Sequence, residues 1–191
     1  MKTEEEMLSV IAEDSWMLEV LRAANTLNLP DWWICAGFVR SKVWDALHDY
    51  DVRTPLGDID VIYFDKEKLD EEMEKDYECQ LGRLMPELPW SVKNQARMHE
   101  INDLPPYLSS VDAISQFPET ATALGVKLGT RGQLELTAPH GLKDLLALQV
   151  RPTPAFKQDE RLMVTYRQRL ASKQWTRKWP KVTVVSVQDG L

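Results

Sequence analysis

Two aspartates alternate with apolar residues at the start of the run Asp58-Ile59-Asp60-Val61-Ile62-Tyr63-Phe64. Side chains two positions apart in a β-strand lie on one face, so both carboxylates face one way while Ile59 and Val61 point into the core. Two negative charges held so close repel each other unless a cation lies between them. Mg²⁺ prefers oxygen ligands and typically takes one or two protein carboxylates together with substrate phosphates. The pair therefore predicts a metal-assisted phosphate site, with Asp58 and Asp60 as metal ligands and catalytic residues.

The segment before this run predicts a place for the phosphates. Trp33 to Cys35 is typical of a short buried strand, Gly37 of a turn that allows close backbone approach, and Phe38 to Leu47 of a helix. The first amides of a helix are free to bind an anion. Arg40 lies in the first turn, where it could grip a phosphate with two hydrogen bonds. We expect Gly37, Phe38 and Arg40 to bind nucleotide, although Arg40 alone is also consistent with a solvated helix residue.

The order of strand, glycine turn, helix and Asp-x-Asp resembles the polymerase-β-like nucleotidyltransferase superfamily. The run Ala36-Gly37-Phe38-Val39-Arg40-Ser41 is similar to the Gly-Gly-x-Val-Arg-Asp turn of the tRNA 3′-end nucleotidyltransferases, with Ala36 and Ser41 departing. Three later blocks resemble a bacterial group of uncharacterised nucleotidyltransferase-like proteins, namely Val92 to His99, Phe117 to Ala123 and Ala138 to Leu145. The resemblance extends from about Trp32 to Pro154. It implies an α+β fold, with a small mixed sheet flanked by helices.

The superfamily usually has a third carboxylate on a following strand. That strand is predicted at Ser91 to Met98, where Asn94 stands and no acid is near. An Asn carries no charge and cannot act as a general base. We expect Asn94 and Arg97 to line the wall opposite the aspartates, and Asp112 and Glu119 are the fallback acids.

The resemblance implies a Mg²⁺-dependent nucleotidyltransferase that moves a nucleoside monophosphate from a nucleoside triphosphate to an acceptor hydroxyl. The acceptor is open among a small molecule, RNA and protein. A catalytically silent protein of the same fold, which binds a nucleotide or a phosphorylated partner, is the alternative. A nucleic-acid-binding module that uses the basic C-terminal region is a third hypothesis.

Composition is that of a globular protein. The chain has 191 residues and a net charge of −7, and we expect one domain over residues 1–191. No apolar run is long enough to cross a membrane, and the acidic start Glu4 to Glu6 lacks the pattern of a signal peptide, which predicts a cytoplasmic protein. The cysteines, Cys35 and Cys79, form no Cys-x-x-Cys pair, so a structural zinc site or disulfide framework is not expected.

The remaining elements follow from periodicity and turn residues. The patterns predict helices at Glu4 to Asn28, Glu67 to Met85, Gly141 to Gln149 and Gln158 to Lys173, and strands at Thr122 to Leu128 and Gln133 to Thr137 joined by the turn Gly129 to Gly132. The core is expected at about 30–150, with Arg151 to Pro154 as a linker before a basic helix and tail at 155–191. The bases of that region are interpreted mainly as a solvated helix face whose Leu162, Tyr166 and Leu170 pack on the core.

Overall fold

A five-stranded mixed sheet forms the centre of the fold. The computed structural model describes residues 1–185. The strands are β1 (Trp33–Cys35), β2 (Ile59–Tyr63), β3 (Trp90–Asn94), β4 (Gly125–Leu128) and β5 (Leu134–Thr137). They lie in the order β3-β2-β1-β4-β5, and only the β2–β3 pair is parallel. The predicted hairpin between β4 and β5 is confirmed, as is the α+β class with a small mixed sheet.

Helices flank this sheet, and apolar residues of the C-terminal helices are buried in the main core. The longer helices are α1 (Glu4–Ala12), α2 (Ser15–Asn25), α3 (Gly37–Leu47), α4 (Glu71–Leu84) and α9 (Glu160–Lys173). Shorter ones are α5 (Gln95–Met98), α6 (Ser110–Ser115), α7 (Lys143–Leu146), α8 (Pro154–Gln158) and α10 (Trp175–Lys178), with a 3₁₀-helix at His99–Asn102. Two further strands, β6 (Gln149–Val150) and β7 (Thr183–Val184), pair in parallel.

Alternate side chains of β2 lie on opposite faces of the sheet, in two different hydrophobic clusters. Ile59, Val61 and Tyr63 are buried in the main core with residues of α2, α3 and the C-terminal helices. Ile62 lies on the other face, in a small cluster with Trp33 and neighbours from β1 and α6. The pleat places residues i and i+2 on one face. Asp60 therefore shares the face of Ile62, away from the main core, as the sequence predicts.

Capping residues divide one predicted helix and shorten a second, and a third is reduced to a single turn. The prediction of one helix at Glu4 to Asn28 is wrong, because the Asp14 side chain accepts a hydrogen bond from the Met17 amide at 3.1 Å and begins a second helix there. Asp70 likewise caps α4, which starts four residues later than the periodicity indicates. The helix predicted at Gly141 to Gln149 is only the single turn of α7.

The predicted strand at Ser91 to Met98 ends early, at Asn94. The Asn94 side chain accepts from the Ala96 amide at 3.1 Å and so caps α5, where the pattern had indicated continued strand. The strand at Thr122 to Leu128 is also shorter, since β4 begins at Gly125.

The segment predicted as a linker is built into the fold. Pro152 forms an isolated antiparallel bridge with Glu119, and the Thr153 hydroxyl donates to the Phe117 carbonyl at 2.7 Å. The linker prediction is therefore wrong.

The prediction that one face of the C-terminal helix α9 packs on the core is confirmed. Leu162 and Tyr166 are buried and Leu170 packs against them, although Pro154 starts the separate helix α8 before α9. The end of the tail predicted at 155–191 lies outside the described residues. Within residues 1–185, no helix is long and apolar enough to cross a membrane.

Candidate active site

Asp58 and Asp60 stand at the beginning of β2, which lies between β1 and β3 in the sheet. Asp58 is exposed, immediately before the strand, and Asp60 is half-buried. In the sheet register, Asp60 lies opposite Cys35 on β1 and opposite Ser91 on β3. The neighbouring strands therefore present a thiol and a hydroxyl to Asp60, and no third acid.

The carboxyl group of Asp60 is held in an unfavourable environment for its charge. Burial, and then the negative charge of Asp58, raise its pKa from 3.8 to about 6, although Lys173, Arg169 and Arg40 act in the opposite direction. Like charges near one carboxylate disfavour its ionised form, and a cation between them removes that penalty. Two neighbouring carboxylates are a donor set suited to Mg²⁺ with phosphates as the remaining ligands. The residues present thus fit a divalent cation.

Helix α3 begins beside the aspartates without a side-chain cap. Ala36 precedes it with φ 52° and ψ −115°, a conformation that favours glycine and stores strain in other residues. The Ala36 carbonyl accepts from the Arg40 amide at 2.9 Å, which closes the first turn. The unusual backbone is therefore at Ala36 and not at Gly37, where the sequence had placed the turn. Phe38 is buried against Trp16, so only its backbone is available to a ligand.

Arg40 is enclosed by three tryptophans. Its guanidinium carbon lies 5.3, 5.4 and 5.5 Å from the rings of Trp44, Trp175 and Trp179. Burial lowers its pKa to about 10, despite the opposing charge of Glu119. Its Nη2 donates to its neighbour Ser41 at 3.2 Å, while its buried Nε has no hydrogen-bond partner. The aromatic rings fix a cation whose hydrogen-bonding capacity is not used up within the described protein.

Residues of α9 and α10 line a cavity beside the aspartates, and the sequence patterns did not predict their presence there. Arg169, Lys173 and Lys178 line it together with Arg40, and so do Asp58 and Asp60. Its volume is about 280 Å³. We call it the phosphate cavity. The sequence pattern favours a solvated face for most of these C-terminal bases, although the four-residue spacing of Arg169 and Lys173 on one helical face is a usable signal.

Arg169 is held in place by Glu119. The Arg169 Nε and Nη2 donate to the two Glu119 oxygens at 2.7 and 3.1 Å, and the Thr122 hydroxyl donates to the same carboxylate at 2.7 Å. Burial disfavours the charge of Arg169, but Glu119 outweighs it and raises the Arg169 pKa. Glu119 is fully buried and its oxygens are engaged. It therefore serves to position a base.

The other fallback acid is also engaged elsewhere. Asp112 accepts from the Leu108 amide at 2.8 Å at the start of α6. Within residues 1–185, no three His, Cys, Asp or Glu side chains are grouped so that they could hold a metal. Any metal at this site rests on the two aspartates of β2.

The structure does not bring Asn94 and Arg97 into the phosphate cavity. Asn94 is 1% exposed, and its amide nitrogen donates to the carbonyls of Asp65 and Lys68 at 2.7 and 2.8 Å. Arg97 forms a two-point ion pair with the buried Glu74, at 2.8 and 2.6 Å. Both side chains hold the loop before α4, and α4 itself, against the end of β3.

Comparison with known proteins agrees with this architecture. Residues 22–184 match the sequence profile of a family described as nucleotidyltransferase. A solved structure described as a CCA-adding enzyme head domain is 37% identical, covers 98% of both chains and superposes with a TM-score of 0.88. A comparison with curated proteins found no match.

Two longer chains described as CCA-adding enzymes share the fold at low identity. The Thermotoga maritima enzyme in complex with tRNA is 14% identical, with a TM-score of 0.55 over 96% of this chain and 42% of that one. A CCA-adding enzyme solved with ATP is 16% identical, with a TM-score of 0.52 over 93% and 41%. The present chain thus spans less than half the length of these enzymes.

Proposed function

Because this chain belongs to a nucleotidyltransferase family with the fold of a CCA-adding enzyme head domain, we propose that it is a Mg²⁺-dependent nucleotidyltransferase. It transfers a nucleoside monophosphate from a nucleoside triphosphate to an acceptor hydroxyl. The observation that carries this proposal is the phosphate cavity, where two carboxylates face four bases beside the first turn of α3. Such a combination matches a polyphosphate that needs both cationic side chains and a metal.

In this proposal the bases hold the triphosphate. Lys173 and Lys178 attract the terminal phosphates, and Arg40, fixed among its tryptophans, donates from its partnerless Nε side. Arg169, oriented by Glu119, faces the phosphate nearest Asp60. The free amides at Gly37 and Phe38 face the same anion, which the dipole of α3 also favours.

Asp58 and Asp60 are the residues that would hold Mg²⁺. When bound, the ion would supply positive charge that neutralises the phosphates and the two carboxylates. The protein then contributes mainly orientation and electrostatic stabilisation, which are the chief requirements of phosphoryl-type transfer.

The relatives direct the choice of substrates to test. Since one relative was solved with ATP and another with tRNA, ATP and RNA are the first donor and acceptor to try. A small molecule or a protein as acceptor stays open. We place the activity in the cytoplasm, where nucleoside triphosphates and Mg²⁺ are available.

A catalytically silent nucleotide-binding protein is the second candidate. It is favoured by Ser91 on the strand beside Asp60 and by the engagement of Glu119 with Arg169. Both leave the aspartates of β2 without a third acid. Such a protein would bind triphosphate in the same cavity and transfer nothing.

Pyrophosphate release separates the two candidates. The protein is incubated with Mg²⁺, each nucleoside triphosphate and a filtered cell extract as acceptor source, and release is compared with Asp58→Asn, Asp60→Asn and the exposed control Asp51→Asn. We expect release by wild type and Asp51→Asn, and at least about a hundredfold less from the two site variants, since each removes a metal ligand. Full activity in either site variant would refute the assignment. Nucleotide binding without release would establish the silent protein.

A further inference from the structure

A second cavity opens on the other side of Asp60. Its volume is about 240 Å³, and it is walled by β3, the α5 region and the segment after α6. It shares three residues with the phosphate cavity, namely Ala36, Asp60 and Arg169. The two cavities are therefore halves of one cleft that meet at the catalytic aspartate.

In-line chemistry gives the two halves different roles. In phosphoryl-type transfer the attacking and leaving oxygens lie roughly opposite each other across the phosphorus atom. The leaving pyrophosphate belongs on the side of Arg40, Lys173 and Lys178. The transferred phosphate then lies at the junction, between Asp60 and Arg169. The attacking hydroxyl must arrive from the second cavity.

The charge of the second cavity differs sharply from that of its neighbour. Its base Lys93 is already paired with Glu74 at 3.2 Å and with Glu78 at 3.5 Å. Its other base, Arg169, is paired with Glu119. Away from the junction, where Arg169 faces the transferred phosphate, the pairing of Lys93 leaves little positive charge for a ligand. A phosphorylated group would gain little there and would lose its hydration.

The remaining lining is suited to an uncharged ring with hydroxyls. Gln95 and Gln116 provide amides that can both donate and accept, and Tyr107 and Phe117 provide aromatic surface. Among the residues that the structure describes, the Gln95 side chain makes only a long hydrogen bond of 3.4 Å to the Lys93 carbonyl. Cavities for drug-sized ligands start at about 300 Å³, so a volume of about 240 Å³ fits a single ring.

We propose that the second cavity binds the acceptor through an uncharged, hydroxyl-bearing ring the size of one sugar, with Gln95 and Gln116 as its hydrogen-bonding residues. This inference rests on the proposed function. The acceptor oxygen forms a bond to the α-phosphorus, the bond from that phosphorus to the bridging oxygen breaks, and pyrophosphate leaves toward the phosphate cavity. The hydroxyl proton passes to water.

Ligand titrations followed by NMR of the side-chain amides of Gln95 and Gln116 test this inference. The protein is first saturated with Mg²⁺ and α,β-methylene-ATP, which fills the phosphate cavity and cannot be cleaved. Three probes follow: methyl β-D-ribofuranoside, ribose 5-phosphate, and a short RNA whose last sugar is free. The first represents a free sugar, the second a charged one, and the third a sugar that ends a polymer.

We expect the neutral riboside to shift both amide signals, and ribose 5-phosphate to bind more weakly. Gln116→Trp fills the cavity and should weaken riboside binding at least about tenfold, while it changes affinity for the ATP analogue less than about twofold. Gln116→Leu, which keeps the size of the side chain and removes the amide, should also weaken riboside binding. Leu108→Trp, at a residue that is 77% exposed and outside the cavity, is the matched control.

Each remaining result has a distinct meaning. If RNA shifts the amide signals more strongly than the riboside does, and Gln116→Trp abolishes that shift, the ring is the last sugar of a polymer. Tighter binding of ribose 5-phosphate, or no amide shift with any probe, overturns the acceptor site. Lost affinity for the ATP analogue in Gln116→Trp overturns it too, because the cavity then holds part of the nucleotide. Failure of wild type to bind the analogue refutes the proposed function itself.

Discussion

Removal of the charge of Asp60 should stabilise the metal-free protein. The pKa of Asp60 is raised from 3.8 to about 6 by burial and by Asp58. Each pKa unit corresponds to about 1.4 kcal/mol, so the ionised carboxylate destabilises the fold by about 3 kcal/mol above pH 6. Asp60→Asn keeps the size of the side chain and removes that cost.

The pH dependence has a definite sign. A carboxyl group whose pKa is higher in the folded state binds more protons there, so the stability of wild type falls as pH rises from about 3.8 to about 6 and is constant above that range. Relative to wild type, Asp60→Asn should therefore gain about 3 kcal/mol at pH 8 and almost nothing at pH 3.5.

Urea unfolding of both proteins at the two pH values, in EDTA, measures this difference. A repeat at pH 8 with Mg²⁺ should stabilise wild type alone, because a ligand that binds only the folded state raises its stability. The reasoning is refuted if Asp60→Asn is no more stable than wild type at pH 8, or if the difference between them is the same at both pH values.

Three further substitutions test other parts of the account. Lys173→Gln should weaken triphosphate binding by about 1 kcal/mol, and by less at high salt, because it removes one positive charge from the cavity. Lys157 is exposed and lies outside the cavity, so Lys157→Gln should leave the affinity unchanged; calorimetry measures both affinities. Arg97→Gln should lower the free energy of unfolding by about 1.5–3 kcal/mol, because it removes two charged hydrogen bonds from the fully buried Glu74, which then keeps only Lys93 as a cationic partner within the described residues; an unchanged urea midpoint would contradict this. Gly125→Ala places a Cβ 2.9 Å from the Cys35 sulfur and should cost about 1–3 kcal/mol, of which Cys35→Ala should restore a part in thermal melts.

Local patterns predicted the part of the site that lies close together in the chain. The alternation at Asp58 to Tyr63 is a period of two, and such a period determines which side chains share a face whatever the rest of the fold does. Short-range sequence patterns also predict the strand, the turn and the helix that position Arg40. Asp58, Asp60 and Arg40 line one cavity in the structure, and their roles there stay a prediction.

The contribution of distant segments could not be read in this way. Arg169 and Lys173 enter the site only because the fold brings α9 beside Glu119 and the two aspartates, and the same spacing also describes a solvated helix face. Asn94 shows the converse problem. Its strand pattern was real, but its side chain could serve equally as a strand residue or as a helix cap, and tertiary contacts with Asp65 and Lys68 selected the cap.

Transfer of label from ATP tests the central claim most directly. Wild type and Asp60→Asn are incubated with Mg²⁺ and either α-labelled or γ-labelled ATP, with total RNA and a cell extract as separate acceptor sources. We predict that wild type moves the α-label onto an acceptor and releases the γ-label as pyrophosphate, and that Asp60→Asn does neither. Transfer of the γ-label, or equal transfer by wild type and Asp60→Asn, would contradict nucleotidyl transfer at the β2 aspartates.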